Sequence, residues 1–569
     1  MQSTYWDGVL ARRISRRRAL AASGATAAAA AFLTACGGDD SDDEDGPAGA
    51  VAGDPATPKV GGELIWQSTG DPQAGLELIK VVSLGVYNMA GLTHDGLMDF
   101  AYGQPGHPGT GIEVEPSLAQ ALPEISPDKL TLTFKLRPSR FHNGRPLTSE
   151  DVKWTYDTLA QAPESAYKLH LSWLESTQAP DASTFVVKTR FPNADVLQGL
   201  AFYYIGAILA REHHESGAAE KTLMGSGPFK FVDYSPPGVS RYARNPDYAT
   251  QPGKPYFEKV TRLGTSDEAK KQAEVLAGQV QFSSYSFRGP QRDEIKKQRQ
   301  ELQVFQYQSP GSGSVYLRND LPPYNDKRVR QALSIGYDRK LLSNLYDGEG
   351  KPDQALSRGG EAWEFRGPEQ LPRADLYQLN VSEAKKLLSA ANVTLPLKVT
   401  MPAWAASVTG QRALDEITSI TGQWRNHGLV DATLVEDTIP TSGPRIRGDY
   451  AAMQWWVNNT SSAPGVGIAM RNKYFSPPGG VTPPTMNIGI VNNPALNVLL
   501  DKEVGEFDRT ARIAIFRQIE ELLSEEMVHT SGVTQGELAY FVDPSVKNAQ
   551  VPRDGFNAAA PWLKHWWFG

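Results

Sequence analysis

A single cysteine, Cys36, sets the first limit on how this chain can be held together. One thiol cannot form a disulfide within the chain, and it cannot supply a metal site that needs several cysteines. Stability must therefore come from apolar burial, and 40% of the 569 residues are hydrophobic. A body of that size, residues 60–569, can build two or three domains with substantial cores.

The segment before Cys36 has the order of features found in a removable export signal. Residues 1–35 carry five arginines and one acid, and a short alanine-rich apolar run, Ala21–Leu33, follows the arginines. That run is too short for a bilayer, which needs about 20 residues, so the pattern predicts an export signal and not a membrane span. Arg16 and Arg17 resemble the pair in a twin-arginine signal. That pattern prefers a larger apolar residue where this chain has Ala19, so the general export route stays open.

Leu33-Thr34-Ala35-Cys36 resembles the lipobox of prokaryotic lipoproteins, in which the cysteine is linked to diacylglycerol. The resemblance implies lipidation of Cys36 and a mature protein held at the outer face of the cytoplasmic membrane or in the periplasm. The alternative is a chance cysteine beside an ordinary cleavage site. Residues 36–59 hold seven acids, one lysine and almost no large apolar side chain, so they are predicted to form an acidic flexible tether.

The charge and hydropathy of the body exclude several classes of protein. Loss of the leader changes the formal charge from −7 to −11, and the tether accounts for −6 of that, so the body carries only about −5. Nothing in this mildly acidic body suggests a nucleic-acid surface. Leu200–Ala210, the nearest later run to membrane length, has 11 residues. The 12 tryptophans and 21 tyrosines suit a ligand-lining cavity, and they suit an ordinary core nearly as well.

Local patterns predict a mixed α/β body. In the first half, alternating apolar residues predict strands at 130–136 and 184–189, and a short strand is expected at 61–66. Thr148, followed three residues later by Asp151, predicts the capped start of a helix.

The second half is predicted to contain a parallel strand pair joined by a helix. Its expected elements are helices within 325–346 (restarting at Asp338), at 383–390 (capped by Ser382), at 411–427 and at 509–523, with strands at 397–401 and 432–436. The strand–helix–strand order of 397–436 requires a right-handed crossover. Ser309–Ser314, a glycine-serine stretch between the two halves, is predicted to act as a hinge; the alternative is a plain loop.

Longer motifs resemble the peptide and nickel class (family 5) of solute-binding proteins of ABC importers. Arg140–Val152, RFHNGRPLTSEDV, is similar to the FHDGxPLTAEDV block of that class, while Gly225–Lys230 and Arg244–Tyr248 are similar to its GTGPYK and RNPDYW stretches. Further similar stretches are Pro116–Ala119, Leu130–Arg137, Lys327–Leu333, Tyr337–Arg339 and Ala384–Leu388.

The resemblance implies an α/β, two-lobed periplasmic-binding-protein-like fold with a hinge, mixed sheets and an extra insertion subdomain in the first lobe. The expected bounds are 1–35 for the export signal with lipobox, 36–59 for the tether, 60–100, 221–308 and 536–569 for lobe I, 101–220 for its insertion, and 309–535 for lobe II. The C-terminal tail, Phe556–Gly569, is expected to pack back on the first lobe.

The function implied is capture of a peptide-like or other small solute between the lobes and its delivery to the permease subunits of an ABC importer. We expect a monomer with no cofactor and no metal, attached to the membrane through its lipid anchor. No nucleic acid is expected as a partner.

The expected solute site lies on the run Met453–Thr460. The class resembled has a GWxxDxxxP stretch whose aspartate pairs with the amino end of a bound peptide, but counting three residues from Trp455 or Trp456 reaches Asn458 or Asn459. An amide carries no charge, so ordinary free-amine peptides are in doubt, and blocked peptides or uncharged solutes such as oligosaccharides stay open. The two tryptophans are candidates to stack on the solute, or one of them belongs to the core.

Two further tryptophans, Trp404 and Trp363, stand in stretches that often line the pocket in this class; the alternative is local packing. The adjacent pair His213-His214 is predicted to be a solvated helix end, because neighbours on a helix project about 100° apart and a metal favours i, i+4 spacing. No serine-hydrolase, zinc-protease or P-loop motif is found, so the chain is predicted not to be an enzyme. A surface lipoprotein without a transport role remains the other alternative.

Overall fold

A computed structural model gives the structure of the protein. It describes residues 57–68, 75–81, 83–104, 107–108, 112–236, 238–265, 267–309, 311–358, 363–405, 410–437, 448–458, 465–477, 487–551 and 560–569. The predicted export signal, the lipidation residue Cys36 and all but the last three residues of the tether lie outside the described residues.

The strands and helices follow in chain order. The strands are β1 (Glu63–Ser68), β2 (Met98–Phe100), β3 (Gly103–Gln104), β4 (His107–Pro108), β5 (Val114–Pro116), β6 (Glu124–Ile125), β7 (Thr131–Lys135), β8 (Ser139–Arg140), β9 (Pro146–Leu147), β10 (Leu174–Asp181), β11 (Thr184–Thr189), β12 (Phe229–Ser235), β13 (Val239–Arg244), β14 (Lys259–Gly264), β15 (Phe282–Phe287), β16 (Gln303–Gln308), β17 (Ser312–Leu317), β18 (Leu397–Trp404), β19 (Val430–Asp437), β20 (Met453–Asn458), β21 (His529–Thr534), β22 (Glu537–Val542), β23 (Val546–Lys547) and β24 (Trp567–Phe568). The α-helices are α1 (Leu84–Thr93), α2 (Ser149–Gln161), α3 (Val196–Ala201), α4 (Tyr203–Gly206), α5 (Arg211–Glu215), α6 (Glu268–Leu276), α7 (Gly289–Gln298), α8 (Lys327–Ser334), α9 (Arg339–Ser343), α10 (Val381–Ala390), α11 (Gln411–Asn426), α12 (Val466–Tyr474), α13 (Pro494–Val504) and α14 (Arg509–Glu526).

The elements β1–β16, β22–β24 and α1–α7, called the first lobe below, include a seven-stranded sheet. Its strand order is β12-β13-β14-β1-β15-β22-β16. β1 pairs in parallel with both β14 and β15, so it lies inside the sheet, and the side chains of Leu64 and Trp66 are fully buried. The strand predicted at 61–66 is thus present, and it begins two residues later, at Glu63.

A second, four-stranded sheet, in the order β10-β11-β7-β6, is formed by strands between residues 124 and 189. The strands predicted at 130–136 and 184–189 are β7 and β11, which pair antiparallel. The predicted helix start is also confirmed, because the backbone N–H of Thr148 donates to Asp151 Oδ2 at 2.9 Å and closes a capping box at the start of α2.

The elements β17–β21 and α8–α14, called the second lobe below, include a three-stranded sheet in the order β20-β17-β21. β18 and β19 form a separate parallel pair, from Leu397 opposite Val430 to Trp404 opposite Asp437, with α11 between them in sequence. The predicted β-α-β unit is therefore confirmed. The predicted cap of α10 was wrong: Asn380 Oδ1, not Ser382, accepts from the Glu383 backbone N–H at 3.0 Å, so the helix starts at Val381.

The chain passes between the lobes twice, and the two passages lie side by side. β16 leads into β17 through Ser309, and β21 leads into β22 through Gly536. The Ser309 N–H donates to the Gly536 carbonyl at 3.0 Å, and the Gln535 N–H donates to the Gly311 carbonyl at 3.2 Å. The second half of the predicted hinge, from Ser312, belongs instead to the buried strand β17, because its small side chains fit inside the sheet.

The C-terminal residues pack on the first lobe, as expected. Trp562 and Trp566 are buried in the same apolar cluster as Trp66. Nearby, Lys564 and Asp99 form an ion pair whose side chains are almost completely buried. The last residues of the chain are thus part of the core of a lobe whose first strand lies about 500 residues earlier.

Candidate functional site

The three-stranded sheet of the second lobe has one apolar and one polar face. β17 is the central strand, and Val315 and Leu317 stand opposite Trp455 and Met453 of β20. Since side chains alternate along a strand, these four share a face, and all four belong to the apolar cluster under helix α11. Trp455, one of the tryptophans proposed to contact a solute, is 1% exposed and lies in this core.

A buried carboxyl group lies beside Trp455. Glu416 of α11 is fully buried, accepts a hydrogen bond from the Tyr346 hydroxyl at 3.0 Å, and accepts one from the Val533 backbone N–H at 3.3 Å. Burial raises the pKa of Glu416 to about 7. A Cβ at Gly313 would overlap a Glu416 oxygen and lie 2.9 Å from Trp455 Nε1, so glycine at this position makes room for the carboxyl group.

The other face of the sheet carries polar side chains. Ser314 Oγ lies 3.1 Å from Ser531 Oγ on β21, and the rings of Tyr316 and His529 are 4.7 Å apart. The Tyr316 hydroxyl is buried, and no hydrogen-bond partner for it lies among the residues that the structure describes. A buried hydroxyl in that state is unusual for an apolar core.

Helix α12 presents two more polar side chains to this face. Tyr474 Oη lies 3.0 Å from His529 Nε2, and Lys473 Nζ lies 5.1 Å from the centre of the Tyr316 ring. Burial lowers the pKa of Lys473 to about 7. Burial, followed by the nearby Lys473 charge, also holds the pKa of His529 well below its usual range. Local sequence patterns did not single out this group, because its members come from β17, α12 and β21.

Two of the predicted tryptophans come together at the edge of the same sheet. The rings of Trp404, at the end of β18, and Trp456, on β20, are 4.5 Å apart and meet edge to face at 66°. Trp456 is only partly buried and also packs against Tyr450 and Ile488. Edge-to-face contact fixes both rings while leaving part of one available for another contact.

Of the other predicted site residues, Asn458 lies two positions after Trp456 on β20, Trp363 lies in another cluster, and Asn459 is not described. The backbone of Asn458 pairs with Ser312 at the end of β20, next to the first passage between the lobes, while Asn459 lies outside the described residues. Trp363 belongs to a different apolar cluster, with its ring 5.2 Å from that of Phe516.

The predicted solvent exposure of the histidine pair was wrong for His214. Its side chain is 6% exposed, and Nδ1 lies 2.6 Å from the Glu77 carboxylate, which is 5% exposed. The short helix α5 turns this ring inward because Glu77 offers it a partner. In the described part of the chain, no cluster of three or more histidine, cysteine or acidic side chains is placed to hold a metal ion. None of the helices described there has both the length and the apolar character needed to cross a membrane.

The fold and the sequence together define a class of binding protein. The family model "Bacterial extracellular solute-binding proteins, family 5 Middle" matches residues 113–473, which is more than half of the chain. The chain belongs to this family.

Individual relatives are more distant. A putative ABC transporter peptide-binding protein of Brucella abortus is 27% identical over 277 residues, covering 47% of this chain and 50% of the relative. The oligopeptide-binding protein AppA of Bacillus subtilis is 25% identical over 350 residues, covering 57% of this chain and 61% of the relative. The matched region thus spans about half of the first relative's length.

Solved structures match over nearly the whole chain. The binding protein AgaA of A. tumefaciens R10, in complex with agropinic acid, superposes with a TM-score of 0.73 at 20% identity, covering 89% of this chain and 99% of AgaA. AppA of Bacillus subtilis, in complex with a nonapeptide, gives 0.70 at 18% identity, covering 90% and 100%. These matches establish the two-lobed α/β fold, while the different molecules in the two complexes leave the solute open.

Proposed function

We propose that this protein is an extracytoplasmic solute-binding lipoprotein that captures a peptide-like or other small solute between its lobes and delivers it to an ABC importer. The observation that carries the proposal is the position of the Trp404–Trp456 pair. Trp456 lies on the sheet whose central strand, β17, continues directly from the passage between the lobes, and Trp404 meets it from the end of β18, in a chain of the family 5 solute-binding proteins.

Capture follows from the two adjacent passages between the lobes. Two short connections, hydrogen-bonded to each other at Ser309 and Gly536, allow one lobe to rotate against the other with few backbone changes. A solute that contacts both lobes stabilises the closed form by the contacts that it makes only there. We assign residues 60–100, 221–308 and 536–569 to lobe I, 101–220 to its insertion and 309–535 to lobe II.

The nature of the solute is proposed from the amides at Asn458 and Asn459. Neither residue can provide a negative charge for an ammonium group, so the site favours solutes without a free amine, such as blocked peptides or uncharged sugars. A charge-assisted hydrogen bond contributes about 1.5–3 kcal/mol, or roughly 10- to 100-fold in affinity. Free-amine peptides are expected to bind that much more weakly than they would to a site with an aspartate.

Calorimetry on the wild type, Asn458→Asp and Asn459→Asp, with matched free and N-acetylated peptides, tests this assignment. One of the two aspartate variants should gain affinity for the free-amine peptide and not for its acetylated form. The other variant serves as the matched control for an added charge nearby. Tight wild-type binding of free-amine peptides that is lost on acetylation would return the protein to ordinary peptide recognition.

The tryptophan pair is tested separately. Trp456→Ala should weaken binding of the natural solute by about 0.5–1.5 kcal/mol if the exposed part of this ring stacks on it. Trp562→Phe, in the buried apolar cluster of the first lobe, is the control and should leave the affinity unchanged. An equal loss of affinity in both variants would mean that Trp456 acts through general stability.

We further propose that the protein releases its solute without changing it chemically. We also propose that the protein acts as a monomer without a cofactor. Mass spectrometry of the solute after prolonged incubation with the protein checks the first point. Any conversion that depends on the folded protein would require a catalytic role.

A further inference from the structure

The two lobes also touch through a group of buried polar residues that includes neither tryptophan of the Trp404–Trp456 pair. Asp195 immediately precedes α3, whose Val196, Leu197 and Leu200 are buried in the core of the first lobe. Its carboxylate makes no capping hydrogen bond to its own helix. Instead, Asp195 Oδ2 accepts from the backbone N–H of Ile468, in the second lobe, at 3.0 Å.

This contact caps a helix from outside its own lobe. α12 starts at Val466 after Gly465, a residue with φ of 72° and no side chain that could cap the helix. The amide of Ile468 is in the first turn, where N–H groups have no partner within the helix. Gln198, one turn along α3, accepts from the Gly465 N–H at 3.1 Å. The first lobe therefore satisfies two backbone donors at the start of a second-lobe helix.

A buried arginine adds charge to the same contact. Arg512 of α14 is 3% exposed, and its Nη2 lies 2.7 Å from Asp195 Oδ1. Its Nε donates to Glu503 at 2.8 Å, and its guanidinium lies 4.7 Å from the centre of the Trp363 ring. Glu503 and Trp363 belong to the second lobe, so Asp195 is the partner of this arginine that comes from the other lobe.

Further contacts between the lobes surround these buried side chains. The Ala194 N–H donates to the Val504 carbonyl at 2.8 Å, and the Arg471 guanidinium lies 4.5 Å from the centre of the Phe191 ring. Breaking a buried ion pair by removing one partner is costly, because the other charge is left without compensation. Loss of Asp195 would therefore destabilise only the arrangement in which the lobes touch, because Asp195 and Arg512 are partners only there.

We propose that Asp195, Gln198, Gly465, Ile468 and Arg512 form a latch that holds the two lobes together through contacts within the chain, so that the closed arrangement is populated before a solute binds. The latch acts on α12, whose other end carries Lys473 and Tyr474 on the polar face of the sheet. Helix α12 therefore couples closure of the lobes to the arrangement of side chains on the polar face of the β20-β17-β21 sheet.

Single-molecule fluorescence transfer between the lobes tests the latch without any solute. Val232 in the first lobe and Val498 in the second are 56% and 67% exposed, and each can be changed to cysteine and labelled in a chain that carries Cys36→Ser. Asp195→Ala should lower the ratio of closed to open molecules at least about tenfold, a factor that corresponds to only 1.4 kcal/mol. Asp195→Asn keeps an acceptor for Ile468 and should give a smaller change.

The matched control is Glu503→Gln, which removes a buried carboxylate from the same arginine within one lobe. It should leave the closed fraction within about twofold of the parent, because the contact between Asp195 and Arg512 remains. Hydrogen exchange of the segment 465–475 should accelerate in Asp195→Ala and not in Glu503→Gln. Identical distributions in the parent and Asp195→Ala, or equal opening in both variants, would overturn the proposal.

Discussion

The buried carboxyl group of Glu416 gives a pH dependence that can be worked out from the structure. Burial raises its pKa from the ordinary 4.5 to about 7 in the folded protein. Between these two values the folded protein holds a proton that the unfolded chain has released. Since the unfolded chain binds fewer protons there, the free energy of unfolding falls as the pH rises from 4.5 through 7.

Replacing Glu416 with Gln removes this titration and keeps the size of the side chain. Each unit of pKa difference is worth about 1.4 kcal/mol, so the full window corresponds to about 3 kcal/mol. The stability of Glu416→Gln relative to wild type should therefore improve by about that amount between pH 4.5 and pH 8. Any pH-independent cost of the new amide changes the stability of the variant equally at pH 4.5 and pH 8. It therefore does not affect the change in relative stability between the two pH values.

Urea unfolding at a series of pH values, followed by tryptophan fluorescence, measures this difference. Other buried acids, such as Glu503, titrate in both proteins and cancel. Glu436→Gln is the matched control: this side chain is exposed on β19, so its removal should leave the pH dependence of wild type. Parallel stability curves for wild type and Glu416→Gln would refute the reasoning.

Three further changes test other parts of the structure. Gly313→Ala should destabilise by about 1–3 kcal/mol, because its Cβ would meet Glu416, whereas Gly422→Ala on α11, with nothing within 4 Å, should be neutral or stabilising in the same urea assay. Asp99→Ala should lower the free energy of unfolding by about 3–5 kcal/mol, since it removes the ion-pair partner of the buried Lys564 ammonium; a loss below 1 kcal/mol would contradict that. Cys36→Ser should move the protein from the membrane fraction to the soluble fraction; unchanged partition with the same mass shift would rule out the anchor.

The elements that the sequence predicted well are those decided by neighbouring residues. The capping box of Thr148 and Asp151 lies within four residues of chain, and the alternation of Thr184–Thr189 lies within one strand. The cap of α10 failed for the same local reason, because Asn380 and Ser382 are both suitable capping residues two positions apart. The hinge prediction failed in part because small residues suit both a flexible connection and a crowded central strand.

The candidate site was harder to predict because its members are distant in sequence. Adjacent tryptophans on a strand must point to opposite faces, but only the position of α11 decides that Trp455 is the core residue and Trp456 the partly exposed one. Lys473 and His529 carry no local sign of burial beside Tyr316. Asp195 is likewise an unremarkable acid in the sequence until the second lobe places an arginine against it.

The central proposal is that the protein captures a solute between its lobes, and titration calorimetry with a solute panel tests it most directly. The panel contains free peptides, their N-acetylated forms and uncharged oligosaccharides. After each titration the solute is recovered and its mass is measured by mass spectrometry. We expect one class to bind with one solute per chain, to be weakened by Trp456→Ala, and to be recovered unchanged. Conversion of the solute by the folded protein, or saturating binding that Trp404→Ala and Trp456→Ala both leave untouched, would contradict the proposal.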